Sequence, residues 1–165
     1  MHLNEIYTRF DSNSFLVGDI VFSNDNEVVI QSIDSVGRHD SFRWIRKQDI
    51  VRVAEQSKYL DMMRSFVAYQ EQHDNFNPFN LQLAIDHDEV CLIQIIITTI
   101  KNRHLILVKS GDDFLIGFVK SFNQSQMVLE KFDNELFDSK NMTLLLTNID
   151  YLQFYTNETV LFERI

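Results

Sequence analysis

Cysteine, proline and glycine are scarce in this chain, and each scarcity excludes something. The single Cys91 rules out an internal disulfide and any cysteine-based zinc cluster. Glycine stands only at positions 18, 37, 111 and 117, so no glycine-rich phosphate loop can form. With one proline as well, the turns must rely on Asn, Asp and Ser, as in Ser23-Asn24-Asp25-Asn26 and Asn123-Gln124-Ser125. The longest apolar run, around Val90 to Ile100, is too short and interrupted to span a bilayer, which predicts no membrane partner. Met1 to Glu5 lacks the basic and apolar regions of a signal peptide, so the expected location is cytoplasmic. Basic residues are in deficit too. The formal net charge is −9, which argues against bulk electrostatic attachment to nucleic acid. Residues 61–100 carry 1 basic and 6 acidic residues, whereas each flanking part carries 7 and 9. A basic face outside the middle is therefore still compatible with the composition.

What the chain does have is a stretch that resembles another part of itself. Residues 15–59, laid without a gap on residues 114–158, place Phe15, Leu16 and Gly18 on Phe114, Leu115 and Gly117. Asn24, Val29, Asp34 and Ile50 fall on Asn123, Val128, Asp133 and Ile149. Val17, Ile20 and Ile30 meet Ile116, Val119 and Leu129, so the apolar pattern follows as well. The match predicts two copies of one small β unit. Copies of about 55 to 60 residues lie where a lone core is marginal, so they are expected to lean on helices or on each other.

Short runs such as the Val- and Ile-rich Glu27 to Ile33, bounded by polar turn residues, predict strands over residues 5–10, 15–22, 27–33, 41–46 and 50–53, with turns at Asp11-Ser12-Asn13 and around Asp34 to Arg38. Residues 57–73 switch to three- and four-residue apolar spacing, which predicts a helix capped by Ser57. Asp86 and Glu89 fit a capping box before a second helix that ends near Asn102. The run Ile95-Ile96-Ile97 also suits a strand, but Lys101, Arg103 and His104 at its end complement a helix dipole. Strands over 105–109, 114–122, 127–132, 142–146 and 151–155 would rebuild the first unit, with one further strand over 159–165. Five short strands closed by turns predict a small barrel.

The second unit, Leu107 to Val119 with Gly111 and Gly117, resembles the first Sm motif: an apolar strand, a Gly turn, a second Gly and renewed alternation. Asn24 and Asn123 stand where that motif carries an acidic or amide residue. Ile45-Arg46-Lys47-Gln48-Asp49-Ile50-Val51-Arg52-Val53 is similar to the second Sm motif, with Lys47 in place of its Gly, and Leu144 to Leu152 matches it more loosely. The resemblance implies Sm-like, or more broadly SH3-like, five-stranded bent barrels. It also implies RNA binding through rings joined edge to edge. The RNA-contacting Asn of the family corresponds to Val28 and Met127, and its Arg to Arg46 and Leu145.

The best candidate binding surface is Arg38, Arg43, Trp44, Arg46, Lys47 and Arg52, which combines five cations with the only Trp. Arg pairs with phosphate and Trp stacks on a base. The same pattern also describes a solvated strand face with Trp44 packed inside and Asp40 and Asp49 as counter-charges. Asp86, His87, Asp88, Glu89 and Cys91 have metal-ligand chemistry, yet capping accounts for the acids and no metal is expected. No catalytic constellation and no cofactor motif is found. Tyr59, Leu60, Met63, Phe66 and Tyr69 suit either a docking stripe or a helix packed on its own barrel. The expected fold is mainly β with a helical insert: a first Sm-like barrel (1–56), a helical connector (57–103) and a second barrel (104–165). The expected function is a non-enzymatic binding or assembly module that meets protein partners, or itself, through barrel edge strands; the alternative is an RNA-binding regulator using Arg43, Trp44, Arg46 and Lys47.

Overall fold

A computed structural model describes residues 1–83, 85, 91–132 and 139–162. The chain is mainly β with a few helices, and it divides into two compact units, Met1–Gln82 and Leu83–Ile165. That division falls within the segment 57–103 read from sequence as a connector. The proposed capping box at Asp86 to Glu89 lies outside the described residues, as does Asp133.

The first unit holds β1 (Asn4–Thr8), β2 (Asp11–Ser23), β3 (Glu27–Ile33), β4 (His39–Arg46), a 3-10 turn (Lys47–Asp49), β5 (Ile50–Ala54) and α1 (Lys58–Gln72). Its strands run antiparallel in the order β5-β1-β2-β3-β4. The 3-10 turn carries the chain away from β4, so that β5 pairs with β1 instead. No described pairing closes β4 onto β5; the expected barrel is, among the described residues, an open sheet. The expected turn at Asp11-Ser12-Asn13 is instead the start of β2, because the hairpin tightens at Thr8 and Asp11 across an irregularity after Ile6.

Ser57 caps α1 as expected, its Oγ accepting from Leu60 N at 3.0 Å. The same hydroxyl also contacts the Glu5 carboxylate on β1, tying the cap to the sheet. Leu60, Met63 and Val67 recur on one face and pack on Leu3, Val17 and Ile33, with Phe15 and Phe76 against the cluster. This is the burial that a marginal five-stranded sheet needs.

The second unit holds α2 (Leu92–Asn102), β6 (Leu105–Ser110), β7 (Asp113–Phe122), β8 (Gln126–Phe132), β9 (Ser139–Leu145), a 3-10 turn (Leu146–Asn148), β10 (Tyr151–Phe154) and α3 (Asn157–Phe162). Its antiparallel order is β10-β6-β7-β8-β9. The Ile-rich run is helical. It ends at Arg103, whose left-handed φ of 52° lets His104 N donate to Thr99 O at 2.9 Å. The expected strand over 159–165 is a correction: residues 157–162 are helix α3. Thr156 Oγ1 accepts from Thr159 N at 2.9 Å, and Thr159 Oγ1 accepts from Thr156 N at 3.0 Å. This reciprocal cap overrides the β-branched composition of Thr159 and Val160.

The two units share one strand register. Gly18 faces Ser32 and Ile20 faces Ile30, then the pairing slips before Phe22 and Val29; Gly117 faces Lys131 and Val119 faces Leu129, then it slips before Ser121 and Val128. Gly18 and Gly117 do the same job. A Cβ on either would run into a backbone oxygen of the next strand, that of Gln31 or of Glu130.

Candidate ligand face of the first unit

Asn24 organises one end of the first sheet. Its Oδ1 accepts from Asn26 N at 2.8 Å and Glu27 N at 2.7 Å, closing the β2–β3 turn as an Asx motif. Lys47 N then donates to Asn26 O at 2.8 Å, and Lys47 Nζ to Asn24 O at 3.0 Å, so the β2–β3 and β4–β5 turns meet. Asn123 closes the equivalent turn through Ser125 N and Gln126 N at 2.9 and 3.0 Å, and Leu146 N reaches Ser125 O at 2.9 Å. Asn24 and Asn123 are thus turn clamps, each in its own unit.

Beside this junction lies Asp49, with a side chain only 1% exposed. Arg46 Nε donates to its Oδ2 at 3.1 Å. Arg9 Nη2 stands 2.6 Å from its Oδ1, as an ion pair rather than an aligned hydrogen bond. Arg9 N also donates to Asp49 O at 3.0 Å, which anchors the end of β1 to the 3-10 turn. A buried carboxylate needs such partners, since an isolated one is costly. Arg9 was not among the sequence candidates. Its only signal was the need of a buried acid for a cation, and nothing in the sequence says that Asp49 is buried.

The six sequence candidates do not form one patch. Arg38 precedes β4 and Arg46 ends it, which separates them by roughly 26 Å at about 3.3 Å per strand residue. Arg38 pairs with Asp34 at 2.9 Å, and Asp34 Oδ1 also accepts from Val36 N and Arg38 N, so this arginine closes the β3–β4 turn. Trp44 is wholly buried and offers no ring face to solvent. Its indole Nε1 has no hydrogen-bond acceptor among the described residues. Arg46 lies 5.8 Å from the Trp44 ring centroid. Arg43 is half-buried on β4, opposite Ile30. Arg52 is exposed, but its guanidinium sits 3.9 Å over the Tyr7 ring. Arg9 and Arg46 are therefore what the fold gathers around one buried carboxylate, while Lys47 holds the neighbouring turn through Asn24 O and Asn26 O.

The other end of β4 carries a buried histidine. His39 is fully enclosed; its backbone N donates to Phe76 O at 2.7 Å, and its ring meets Phe42 edge-on at 4.8 Å. Burial pushes its pKa down to about 4, against smaller upward effects of hydrogen bonds with Ser41 and Asn77. Next to it, burial also raises the Asp40 carboxyl above its ordinary range. The His39 ring is neutral and structural at neutral pH.

Among the described residues no group of three His, Cys, Asp or Glu is placed to hold a metal ion, and no helix is long and apolar enough to cross a membrane. Cys91 is half-buried and free. Compared with protein-family models, with curated proteins and with solved structures, the chain matches none.

Proposed function

We propose that the chain is a non-enzymatic binding and assembly module of Sm-like type, built from two copies of one β unit, that recruits protein partners or further copies along open strand edges. The observation that carries this reading is that two outer strands expose large apolar side chains beside their exposed Arg52 and Lys140. β5 pairs with β1 and exposes Val51 (69%) and Val53 (40%). β9 pairs with β8 and exposes Leu145 (48%). An outer strand offers unpaired N–H and C=O groups, and natural proteins ordinarily guard such edges with charge. Apolar side chains there favour addition of another strand. The Sm-like reading is supported by the strand order, the close approach at Gly18 and Gly117, and the Asn24 and Asn123 clamps.

Sedimentation velocity on the full chain tests this. Association should grow with concentration and fall in Leu145→Lys and in the Val51→Lys, Val53→Lys double variant. Unchanged association in both would sink the edge reading.

A second reading, RNA binding, is favoured by one observation. Lys47 is exposed where the two turns meet, next in sequence to Arg46, which shares the Asp49 carboxylate with Arg9. Anisotropy of a labelled U-rich RNA should then show salt-sensitive binding that Arg9→Ala and Lys47→Ala weaken. A flat titration with the fold intact would leave only the assembly reading.

A further inference from the structure

Residues 74–82 leave helix α1 and cross the start of β4. Asp74, left-handed at φ 51°, ends the helix in a Schellman turn, with Asn75 N donating to Gln70 O at 2.9 Å. Phe76 then packs against the cluster of Leu3, Val17, Ile33, Leu60, Met63 and Val67. Asn77 closes a loop on Leu81: its Oδ1 accepts from Leu81 N at 2.8 Å, and its Nδ2 donates to Leu81 O at 2.9 Å. Asn80, left-handed at φ 54°, turns the chain back, and Leu81 is buried. His39 is where this strap meets the sheet. Its backbone N donates to Phe76 O at 2.7 Å, and its enclosed ring meets Phe42 edge-on at 4.8 Å and Phe76 near-parallel at 6.1 Å. We propose that residues 74–82 are a proton-released strap, closed over a neutral His39 and lifted from the first sheet when the imidazole takes a proton.

The geometry decides which side gives way. A charged imidazolium held away from water is costly, so one wall of its enclosure must open. Phe42 belongs to β4, which is paired with β3 from His39 to Arg46. Phe76 belongs to the strap, which lies outside the strand ladders and is tied to β4 by the bond from His39 N. A segment with so little ladder bonding opens at lower cost than a paired strand. Lifting carries Phe76 off its cluster and gives water an apolar surface that stays closed at neutral pH.

The charged neighbours are engaged elsewhere. Beside His39 on its own strand and turn, Arg38 pairs with Asp34, and Asp40 accepts from Ser41 Oγ at 3.1 Å and feels the Arg43 charge. On β3, the residue opposite is Ile33. At the end of α1 and on the strap, Glu71, His73 and Asp74 are exposed. Around the ring itself, burial outweighs the hydrogen bonds with Ser41 and Asn77 and lowers its pKa from 6.5 to about 4. Protonation therefore favours the lifted strap, by up to roughly 300-fold, as the pH falls from 6.5 towards 4.

Hydrogen exchange of the full chain, corrected for the intrinsic effect of pH, tests the strap. His39 N should lose protection over that window ahead of the inner β3–β4 rung of Ile30 and Arg43. His39→Phe should abolish the difference. Asp40→Asn, at the neighbouring acid whose carboxyl burial also raises, should preserve it. An NMR titration of the wild-type imidazole needs no variant to fold: its midpoint should coincide with the loss of protection at His39 N. Exchange at His39 N that ignores pH overturns the proposal. So does simultaneous loss at the inner rung, persistence of the effect in His39→Phe, its disappearance in Asp40→Asn, or a ring that titrates apart from the strap.

Discussion

Glu27 faces Arg46 across β3 and β4 of the first unit, and at the same rung of the second unit Gln126 faces Leu145. The next residues differ in the same direction. Lys47 and Asp49 of the first 3-10 turn stand where Leu146 and Asn148 stand in the second. Both turns nevertheless have the same length, cap geometry and backbone bond to the β2–β3 or β7–β8 turn. The backbone frame is therefore indifferent to whether this corner is held by buried charge or by apolar side chains. Where the first unit binds the end of β1 through Arg9 and Asp49, the second binds the end of β6 through Asp150, whose Oδ2 accepts from Gly111 N at 2.9 Å and whose N donates to Lys109 O at 2.8 Å. A frame set by glycine, Asx turns and register leaves the corner residues free to differentiate.

Hydrogen exchange resolved onto each sheet provides the means to break that comparison. Asp49→Ala should produce the largest effect, destabilising the first unit by about 1.5–3 kcal/mol, because it removes the buried carboxylate that accepts from Arg46 and pairs with Arg9. Asn148→Ala, at the exposed equivalent position, should change the second by no more than about 0.5 kcal/mol. If the two cost the same, the distinction between a charged and an apolar corner is wrong.

Acidification should separate the units next. His39 has its pKa lowered from 6.5 to about 4, so its neutral, buried form contributes stability that is complete above pH 6.5. That contribution, up to about 3 kcal/mol, is lost as the pH falls from 6.5 towards 4. Protection of β3 and β4 should fall over that window, and His39→Phe should flatten the profile.

The glycines sharpen the likeness rather than the difference. Gly18→Ala and Gly117→Ala should each cost about 1–3 kcal/mol, in its own unit, by forcing the neighbouring strand away. A large inequality would mean that the two close approaches are not equivalent. The smallest effects are expected at the turn clamps: Asn24→Ala and Asn123→Ala should each cost about 0.5–1.5 kcal/mol, read as faster exchange at the adjacent turn amides.

The strands and the first helix were legible because their signals are local. The Val and Ile enrichment of Glu27 to Ile33, the three-four spacing of Leu60, Met63 and Val67, and the Ser57 cap each lie within a few residues. The strand expected over 159–165 failed for a local reason as well: the Thr156–Thr159 cap was there to be read, and β-branched composition outweighed it. The candidate surface was misassembled for a non-local reason. Arg38 and Arg46 are near in sequence but sit at opposite ends of one extended strand, whereas Arg9 and Asp49 are far apart and touch.

The sequence alone therefore determined the elements, the matched pattern of two β units and the glycine and asparagine positions, because periodicity, capping and turn chemistry act over short spans. Only the tertiary structure decided which arginines share a carboxylate, that Trp44 is enclosed, that β5 crosses to β1, and which face of α1 is left to water. Those depend on strand pairing and burial, which bring together residues that no local pattern connects.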